Sequence, residues 1–285
     1  ISQNPNLFTL FCNDNQLQSL NVQNGNNINF DNLEAQNNTS LTCVQVDDIA
    51  FSNTNWLNQT AGFLFDSQVF FSQNCGGLVN IPDPNFEQAL IGEGIDTDGI
   101  INGLMSPSNA LGVTFLDVNS LNISDLTGIE FFLDLETLNA TNNNLSTIDL
   151  SSNLSLDGLL LGINNLTSID LSNNTNLVSL VLAQNQISSI DLSANTALNQ
   201  IFIQDNTLTE LDTNSLPNLA QLNVSQNDLT LLDLSLNTNL TQLLASGNNL
   251  ISLNLQNGNN TSITGSEFDT TSIPNLPCIQ VDDST

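Results

Sequence analysis

The side chains that most often carry out chemistry in proteins are missing from this sequence. It contains no Lys, Arg, His or Tyr, against 29 Asp and Glu residues, and its formal net charge is −29. The usual general bases, amine nucleophiles and oxyanion-binding cations are therefore absent. A hydrolase built on a pair of carboxylates is the one enzyme class that this composition leaves open, but no motif supports it. We expect that the protein is not an enzyme.

Carboxylates and amides could still bind a metal ion. Such a site would use oxygen ligands, which suit calcium better than zinc. The stretch DTDGIING places Asp96, Asp98 and Asn102 in a glycine-rich turn, and these three side chains are the candidate calcium ligands. The stretch lacks the ligand number and the bidentate Glu of a complete calcium loop, so a purely polar turn is the alternative. The pair Asp47 and Asp48 has the same two interpretations, as hydrogen-bonding groups of a cap or as metal ligands.

The charge balance also limits the partners of the protein. No cationic side chain is present to neutralise a phosphate, so we expect neither nucleic acid nor an anionic membrane surface as a partner. No apolar run reaches the length of a membrane-spanning helix, which predicts that nothing inserts into a membrane. Salt bridges within the chain are impossible, so an acid that needs a counter-charge must take it from the solvent.

The elements that position these side chains follow a repeat of 21 residues. Six segments align on one Leu or Ile, and the first two read LETLNATNNNLSTIDLSSN and LDGLLLGINNLTSIDLSNN. They match the leucine-rich repeat pattern L-x-x-L-x-L-x-x-N-x-L. The anchor residues are Leu138, Leu159, Leu180, Ile201, Leu222 and Leu243. The Asn residues of the pattern are Asn143, Asn164, Asn185, Asn206, Asn227 and Asn248.

This repeat predicts a β-rich leucine-rich repeat solenoid with a parallel sheet on its concave face. In each coil the L-x-L stretch is expected to form a short strand, and the coils stack about 4.8 Å apart so that the inward Leu and Ile make one continuous core. The repeated Asn lies where the chain leaves the strand. We expect its amide to satisfy backbone groups of its own coil and of the next coil, which is a structural role without a ligand.

The stretch IDL or LDL predicts a second short extended segment on the opposite side of each coil. Its Ile or Leu would point inward and its Asp outward, so the Asp side chains would form a column of like charges at coil spacing. Such a column predicts a preference for salt or divalent cations, and a solvated polar face is the alternative. The inward residues would be Ile148, Ile169, Ile190, Leu211, Leu232 and Leu253. The Asp column would be Asp149, Asp170, Asp191, Asp212 and Asp233.

The ends of a solenoid must be covered by caps. Asp83 followed by Pro84 is a helix start, and Phe86, Ala89 and Leu90 fall on one face of that helix, so an amphipathic helix is expected to cover the first coil. The segment LNVQNGNNINFDNLEAQNNTSLTCVQVDD is similar to the later segment LNLQNGNNTSITGSEFDTTSIPNLPCIQVDD. This similarity indicates two copies of one C-terminal cap.

The duplicated cap predicts tandem domains. Residues 1–75 would be the last coil or coils and the C-terminal cap of a preceding leucine-rich repeat domain, and residues 76–112 a linker with the helical N-terminal cap. Residues 113–255 would form the coils, and residues 256–285 the incomplete start of the next C-terminal cap. Because neither end of the chain is a domain boundary in this scheme, we expect a window of a longer array, or a unit completed by its neighbours.

The stretches IPDPNFEQALI, NISDLTGIE and CIQVDD resemble those of tandem leucine-rich repeat surface or secreted proteins of Bacteroidota, of the flavobacterial type. In that family they open a domain, start its coils and, with a later NW and Cys, close it. The resemblance implies a secreted or cell-surface protein that is exported by type IX secretion. Attachment and extracellular structure are the roles it implies. The complete lack of basic residues departs from the family.

The cysteines fit such an extracellular chain. Cys43 and Cys75 lie at the two ends of the first cap segment, and a disulfide between them would close a loop of about 32 residues and stabilise the fold by roughly 3–4 kcal/mol in the chain-entropy model. An oxidising environment permits this bond. Cys278 is the counterpart of Cys43, and its partner would lie beyond Thr285. Cys12 takes the place of an inward Leu, and we expect it to be a small buried apolar residue.

The concave face is the candidate binding surface. Its outward column brings Leu160, Val181 and Phe202 onto adjacent coils as an exposed apolar strip, with Leu244 further along. Such a strip can mark an interface, although single exposed apolar residues are ordinary on surfaces. Two functions stay open. The first is an extracellular structural protein, a segment of a tandem-repeat fibre or stalk that self-associates end to end or continues in a longer chain. The second is an adhesin that holds a protein or glycan on this face, with calcium as its one candidate cofactor.

Overall fold

The computed structural model describes residues 4–56, 62–67, 69–72, 75, 78–263 and 267–282. The chain divides into two compact units. The first contains residues 1–79 and Ser106–Ser108, and the second contains residues 80–105 and 109–285.

The first unit is built from short strands and one helix, α1 (Ile49–Trp56). Its strands are β1 (Thr9–Phe11), β2 (Leu20–Asn21), β3 (Asn32–Glu34), β4 (Cys43–Gln45), β5 (Phe63–Leu64) and β6 (Phe70–Ser72). They form two parallel sheets with the orders β1-β3-β5 and β2-β4-β6. Each coil of the chain therefore adds one strand to each sheet.

An aromatic cluster and a disulfide close the first unit. Trp56, at the end of α1, is 1% exposed and stacks on Phe63, while Phe30 and Phe71 meet its ring edge-on. Such aromatic contacts each add about 0.5–1.5 kcal/mol beyond the burial of apolar area. The predicted disulfide between Cys43 and Cys75 is confirmed, with its two Cα atoms 5.5 Å apart.

The second unit begins with the predicted helical cap, α2 (Pro84–Gly92), which lies between the short strands β7 (Val79–Asn80) and β8 (Leu104–Met105). The Asp83 carboxylate caps the helix by accepting hydrogen bonds from the backbone of Asn85 and Phe86. Its other oxygen accepts from the backbone N and Oγ of Ser124 in the first coil, at 2.7 and 2.8 Å. Burial alone would raise the pKa of Asp83, but these hydrogen bonds lower it below its ordinary value. One carboxylate therefore both starts the helix and fastens it to the coils.

The coils of the second unit supply all remaining strands. These are β9 (Phe115–Asp117), β10 (Thr137–Asn139), β11 (Gly158–Leu160), β12 (Ser179–Val181), β13 (Gln200–Phe202), β14 (Gln221–Asn223), β15 (Leu231–Asp233), β16 (Gln242–Leu244), β17 (Ser252–Asn254), β18 (Phe268–Asp269) and β19 (Ile279–Gln280). Eight of them form one parallel sheet with the order β18-β16-β14-β13-β12-β11-β10-β9. From β10 to β16 each strand pairs with the strand 21 residues away, as Leu159 with Leu180 does.

The middle residue of each of these strands faces the core. All six predicted anchor residues have 0% exposure. The residue two positions after each anchor, such as Ala140 or Leu161, also has 0% exposure. A fully buried Leu contributes about 1.5–3 kcal/mol, so the stack of identical inward positions is the main source of stability. The leucine-rich repeat solenoid with a helical cap and a disulfide-linked cap is confirmed.

The opposite side of the coils differs from the prediction. In the described part of the second unit, second strands form at β15, β17 and β19, which make a separate three-stranded parallel sheet; the corresponding IDL stretches after Asn143, Asn164 and Asn185 are not strands. Ile148, Ile169 and Ile190 were expected to point inward but are half-buried. The fully buried residues are Leu150, Leu171 and Leu192, two positions later.

Candidate functional site

The Asn side chains of the repeat hold the coils in register. The Nδ2 atom of Asn185 donates to Leu182 O in its own coil and to Leu161 O in the preceding coil, and its Oδ1 accepts from Leu166 N at 3.0 Å. The other five Asn residues make the same set of bonds. Of the two expected partners, the bond within the same coil is confirmed, but the bond to the next coil was wrong: each amide bonds to the preceding coil instead. The amide groups of these Asn side chains therefore hydrogen-bond to the backbone of the protein itself.

A second ladder of buried Asn residues lies on the other side of the coils and was missed. Asn174 and Asn195 each donate to two backbone oxygens of earlier coils, at 2.9–3.1 Å. Their Oδ1 atoms are buried without a hydrogen-bond partner. The sequence signal was available, since Asn153, Asn174, Asn195 and Asn237 share one column of the repeat.

The concave surface of the second unit carries the predicted apolar residues together. Leu160 is paired with Val181 and Val181 with Phe202 across adjacent strands, while Leu244 is separated from Phe202 by Asn223. All four side chains are half-buried instead of fully exposed, because neighbours in the sheet cover their flanks. We call Leu160, Val181 and Phe202 the apolar strip.

Small residues keep the surface beside the apolar strip flat. A Cβ atom at Gly158 would lie 3.1 Å from Thr137 Oγ1, and one at Gly162 would lie 3.3 Å from Ala183 O. Both glycines are buried. Beside Phe202, the Gln204 Oε1 atom is buried without a hydrogen-bond partner.

The last residues of the strands in the eight-stranded sheet form one outward column, which we call the concave column. Acidic residues lie at its two ends and not in its middle. The outward positions of β10 to β14 and of β16 carry no carboxylate. At one end Asp117 is in register with Asn139, and at the other Asp269 is in register with Leu244. In a chain with a net charge of −29, an uncharged patch of this extent contrasts sharply with the rest of the surface.

Ile163 stands beside the apolar strip in an unfavourable backbone conformation. Its φ angle is +56°, in the left-handed region where the matching residues of other coils are Asn142, Gln184, Asp205 and Gln226. A β-branched residue is a genuine outlier there. The Ile163 side chain is also 44% exposed, so burial does not compensate for its strain. Residues held this way tend to occur at functional sites.

The predicted Asp column lies on the opposite side of the coils, and its five side chains are exposed. Each carboxylate accepts a hydrogen bond from the backbone N–H two residues later, as Asp170 does from Ser172 at 2.9 Å. Hydrogen bonds to the backbone and hydroxyl of Ser172 lower the pKa of Asp170, and the nearby Asp191 carboxylate opposes this. Asp170 and Asp191 line a groove of about 210 Å³. These acids therefore stabilise turns.

The candidate calcium loop is folded around a buried carboxylate that the sequence analysis missed. Glu87 of α2 has 0% exposure and accepts from the backbone N–H groups of Asn102, Gly103 and Leu104 at 2.8–3.1 Å. Asp98 accepts from Asn102 Nδ2 and from Ile100 N, both at 2.8 Å. Within the described part of the chain, no three acidic or cysteine side chains converge to hold a metal.

Asp96, the third candidate ligand, is 3% exposed, and its Oδ2 atom has no hydrogen-bond partner. Burial raises the pKa of Asp96, a backbone hydrogen bond from Asp98 opposes the shift, and the Asp98 and Glu87 carboxylates add to it. The oxygens of this loop are thus mostly occupied by N–H donors of the loop itself.

The two similar C-terminal segments use the same hydrogen bonds. In the first unit Asn27 N donates to Asp47 Oδ2 and Asp47 N to Asn27 Oδ1. In the second, Asn260 and Asp282 make the identical pair. Asp48 accepts from Phe51 N at the start of α1.

The cysteine environments differ between the two segments. Cys43 is 6% exposed in its disulfide, whereas Cys278 is free and exposed. Cys12 is half-buried, which is less than expected.

No protein-family model matches the chain, and no curated protein matches it. Among solved structures, internalin C2 of Listeria monocytogenes is 20% identical with a TM-score of 0.55, and the alignment covers 74% of this chain and 100% of that one. The functional domain of InlJ from Listeria monocytogenes, which includes a cysteine ladder, is 23% identical with a TM-score of 0.39, and the alignment covers 74% of this chain and 62% of that one. The likeness to internalin C2 supports the leucine-rich repeat fold. No helix in the described ranges has both the length and the apolar character that a membrane span needs.

Proposed function

We propose that this protein is an extracellular binding module, an adhesin that holds a protein or glycan on the concave sheet of its second unit. The observation that carries the proposal is the apolar strip in an uncharged patch of an otherwise acidic surface. Adjacent apolar side chains on a protein surface can mark an interaction site. The rigid parallel ladder beneath the strip suits binding, because little conformational entropy is lost when a ligand settles on it.

The extracellular location rests on the disulfide and on the sequence resemblance. The Cys43–Cys75 bond belongs to oxidising compartments. Secretion by a type IX system from a member of the Bacteroidota, as the resemblance implies, is part of the proposal. Acidic surfaces of this kind also keep a secreted protein soluble.

The test of the binding function replaces residues of the apolar strip. The double variant Leu160→Asn, Phe202→Asn and a control, Leu236→Asn, would be compared on arrays of polysaccharides and of secreted proteins. Leu236 is 58% exposed and lies outside the eight-stranded sheet, so the control loses an exposed apolar side chain elsewhere. We expect the wild type and the control to bind the same ligand and the double variant to lose it. Ligands that bind all three proteins equally would contradict the proposal.

A second candidate is a structural one, in which tandem units form a fibre or stalk. It is favoured by the two similar cap segments, which make the same Asn27–Asp47 and Asn260–Asp282 hydrogen bonds. In this scheme residues 1–75 and 113–285 belong to successive domains of one array. Electron microscopy of the full chain, with and without a chelator, tests it: regular filaments would support a fibre, and dispersed monomers at all protein concentrations would exclude it.

A further inference from the structure

The concave column has a charge pattern that specifies the kind of partner. Read across the sheet it runs Asp117, Asn139, then the apolar strip, then Asn223, Leu244 and Asp269. With about 4.8 Å between strands, Asp117 lies about 10 Å from Leu160 and Asp269 about 14 Å from Phe202. An apolar centre is therefore bounded by carboxylates at both ends.

Acidic residues also border the apolar strip along the direction of the strands. Asp157 directly precedes β11, and Asp205 follows Phe202 by three residues; both are exposed. Neither Asp157 nor Asp205 has a cationic partner, because the chain contains no Lys, Arg or His. Every complementary charge at this surface must come from another molecule.

This pattern disfavours two of the available occupants. A second copy of this chain would bring carboxylates against carboxylates, since it too has no basic residue, and like charges placed together at an interface cost several kcal/mol. A neutral glycan could cover the apolar strip and donate hydroxyl hydrogen bonds to the bordering acids, but it would bring no opposite charge to them.

We infer that the concave face binds a protein whose apolar side chains are ringed by Lys or Arg, an inference that rests on the proposed binding function. The apolar side chains of the partner cover Leu160, Val181 and Phe202, in the way that the centre of an interface is apolar and its rim polar. The basic ring meets Asp117, Asp157, Asp205 and Asp269. Opposite charges at such a rim accelerate association and make it depend on salt.

The test uses three helical peptides against the full chain. The first has a Leu face ringed by Lys, the second has the same Leu face ringed by Glu, and the third keeps the Lys residues but has Ser in place of Leu. Binding is measured by fluorescence anisotropy, and hydroxyl-radical footprinting reports whether Leu160 and Phe202 become protected.

We expect the Lys-ringed Leu peptide alone to bind and to protect both side chains. Its affinity should fall at least about tenfold between roughly 50 mM and 500 mM NaCl, and by about tenfold or more in the Leu160→Asn, Phe202→Asn variant. The Leu236→Asn control should bind as the wild type does. These results together would support the inference.

Three outcomes would overturn it. Equal binding of the Lys-ringed Leu and Lys-ringed Ser peptides would mean general attraction to an acidic protein. If the Lys-ringed Leu peptide does not bind at concentrations up to about 1 mM, the concave face does not recognise an apolar partner with a basic rim. Protection of Phe202 by the Glu-ringed peptide or by a neutral polysaccharide would also overturn the inference, yet it would leave the concave face as a binding surface and the proposed function intact.

Discussion

At the scale of single residues, Ile163 departs most clearly from local backbone preference. Its left-handed backbone costs a β-branched residue about 1–2 kcal/mol. Replacing it with Asn, the residue found at the same place in an earlier coil (Asn142), should therefore raise the free energy of unfolding of the second unit by about 1 kcal/mol. Urea unfolding of the Ile163→Asn variant measures this.

The matched control for that prediction is Gln184→Asn, which changes a residue with the same backbone angle but without β-branching. It should leave stability nearly unchanged. A loss of stability in Ile163→Asn would show that the Ile side chain makes packing contacts worth more than its strain.

Asp96 carries the second prediction at this scale. Asp96 is buried near the Asp98 and Glu87 carboxylates, so removing its charge in Asp96→Asn should stabilise the second unit by about 1 kcal/mol at neutral pH. Because the pKa of Asp96 is raised in the folded state, the wild type gains stability as pH falls through that folded-state pKa. The advantage of the variant should thus be largest at neutral pH and shrink in acid, which urea midpoints across pH measure.

A calcium titration of the same two proteins separates the two interpretations of the DTDGIING loop. If Asp96 is only a buried acid, calcium should shift the unfolding midpoints of wild type and Asp96→Asn equally. A shift that is confined to the wild type would instead identify Asp96 as a calcium ligand.

At the scale of elements, the Asn ladder makes a prediction about the coils. Asn185→Ala removes two donors and the acceptor of Leu166 N–H, and leaves buried backbone groups unpaired, so we expect a loss of about 3 kcal/mol. Asn195→Ala is the comparison, because its Oδ1 has no partner to lose. The Asn185 variant should be the less stable of the two by about 1 kcal/mol. Equal losses would mean that the bond to Leu166 N contributes nothing.

The strands and ladders show what the sequence could predict. The concave strands and the Asn column were predictable because each recurs every 21 residues and has a single geometric solution. The predicted second extended stretch is confirmed as a strand in β15, β17 and β19 but not in the coils of Ile148, Ile169 and Ile190, since an IDL stretch fits both a strand and an unpaired turn. The second Asn ladder was missed because Leu216 interrupts its column.

The candidate site was predictable only in part for a related reason. Periodicity placed Leu160, Val181 and Phe202 on one face, but it gives no backbone angles, and so it could not single out Ile163. Likewise, the helix pattern gave no reason to single out Glu87, because only the tertiary fold buries it under the loop at 102–104.

At the scale of the whole molecule, the absence of basic residues makes stability depend on salt. With a net charge of −29, the compact state carries repulsion that the expanded chain relieves, and ions screen this repulsion. Raising NaCl from about 10 mM to 500 mM should therefore stabilise the protein by about 1–2 kcal/mol, which corresponds to an increase in Tm of roughly 4 °C. Thermal unfolding followed by circular dichroism measures it.

Choline chloride at the same ionic strength separates general screening from specific cation binding. Screening predicts the same increase in Tm for both salts, because it depends on ionic strength and not on the cation. An increase seen with NaCl but not with choline chloride would place a bound cation among the acids, with the loop around Asp96 and the groove between Asp170 and Asp191 as the places to search. A decrease in Tm with either salt would mean that self-repulsion of the folded state does not limit its stability, and the acidity would then have to be explained by the partner alone.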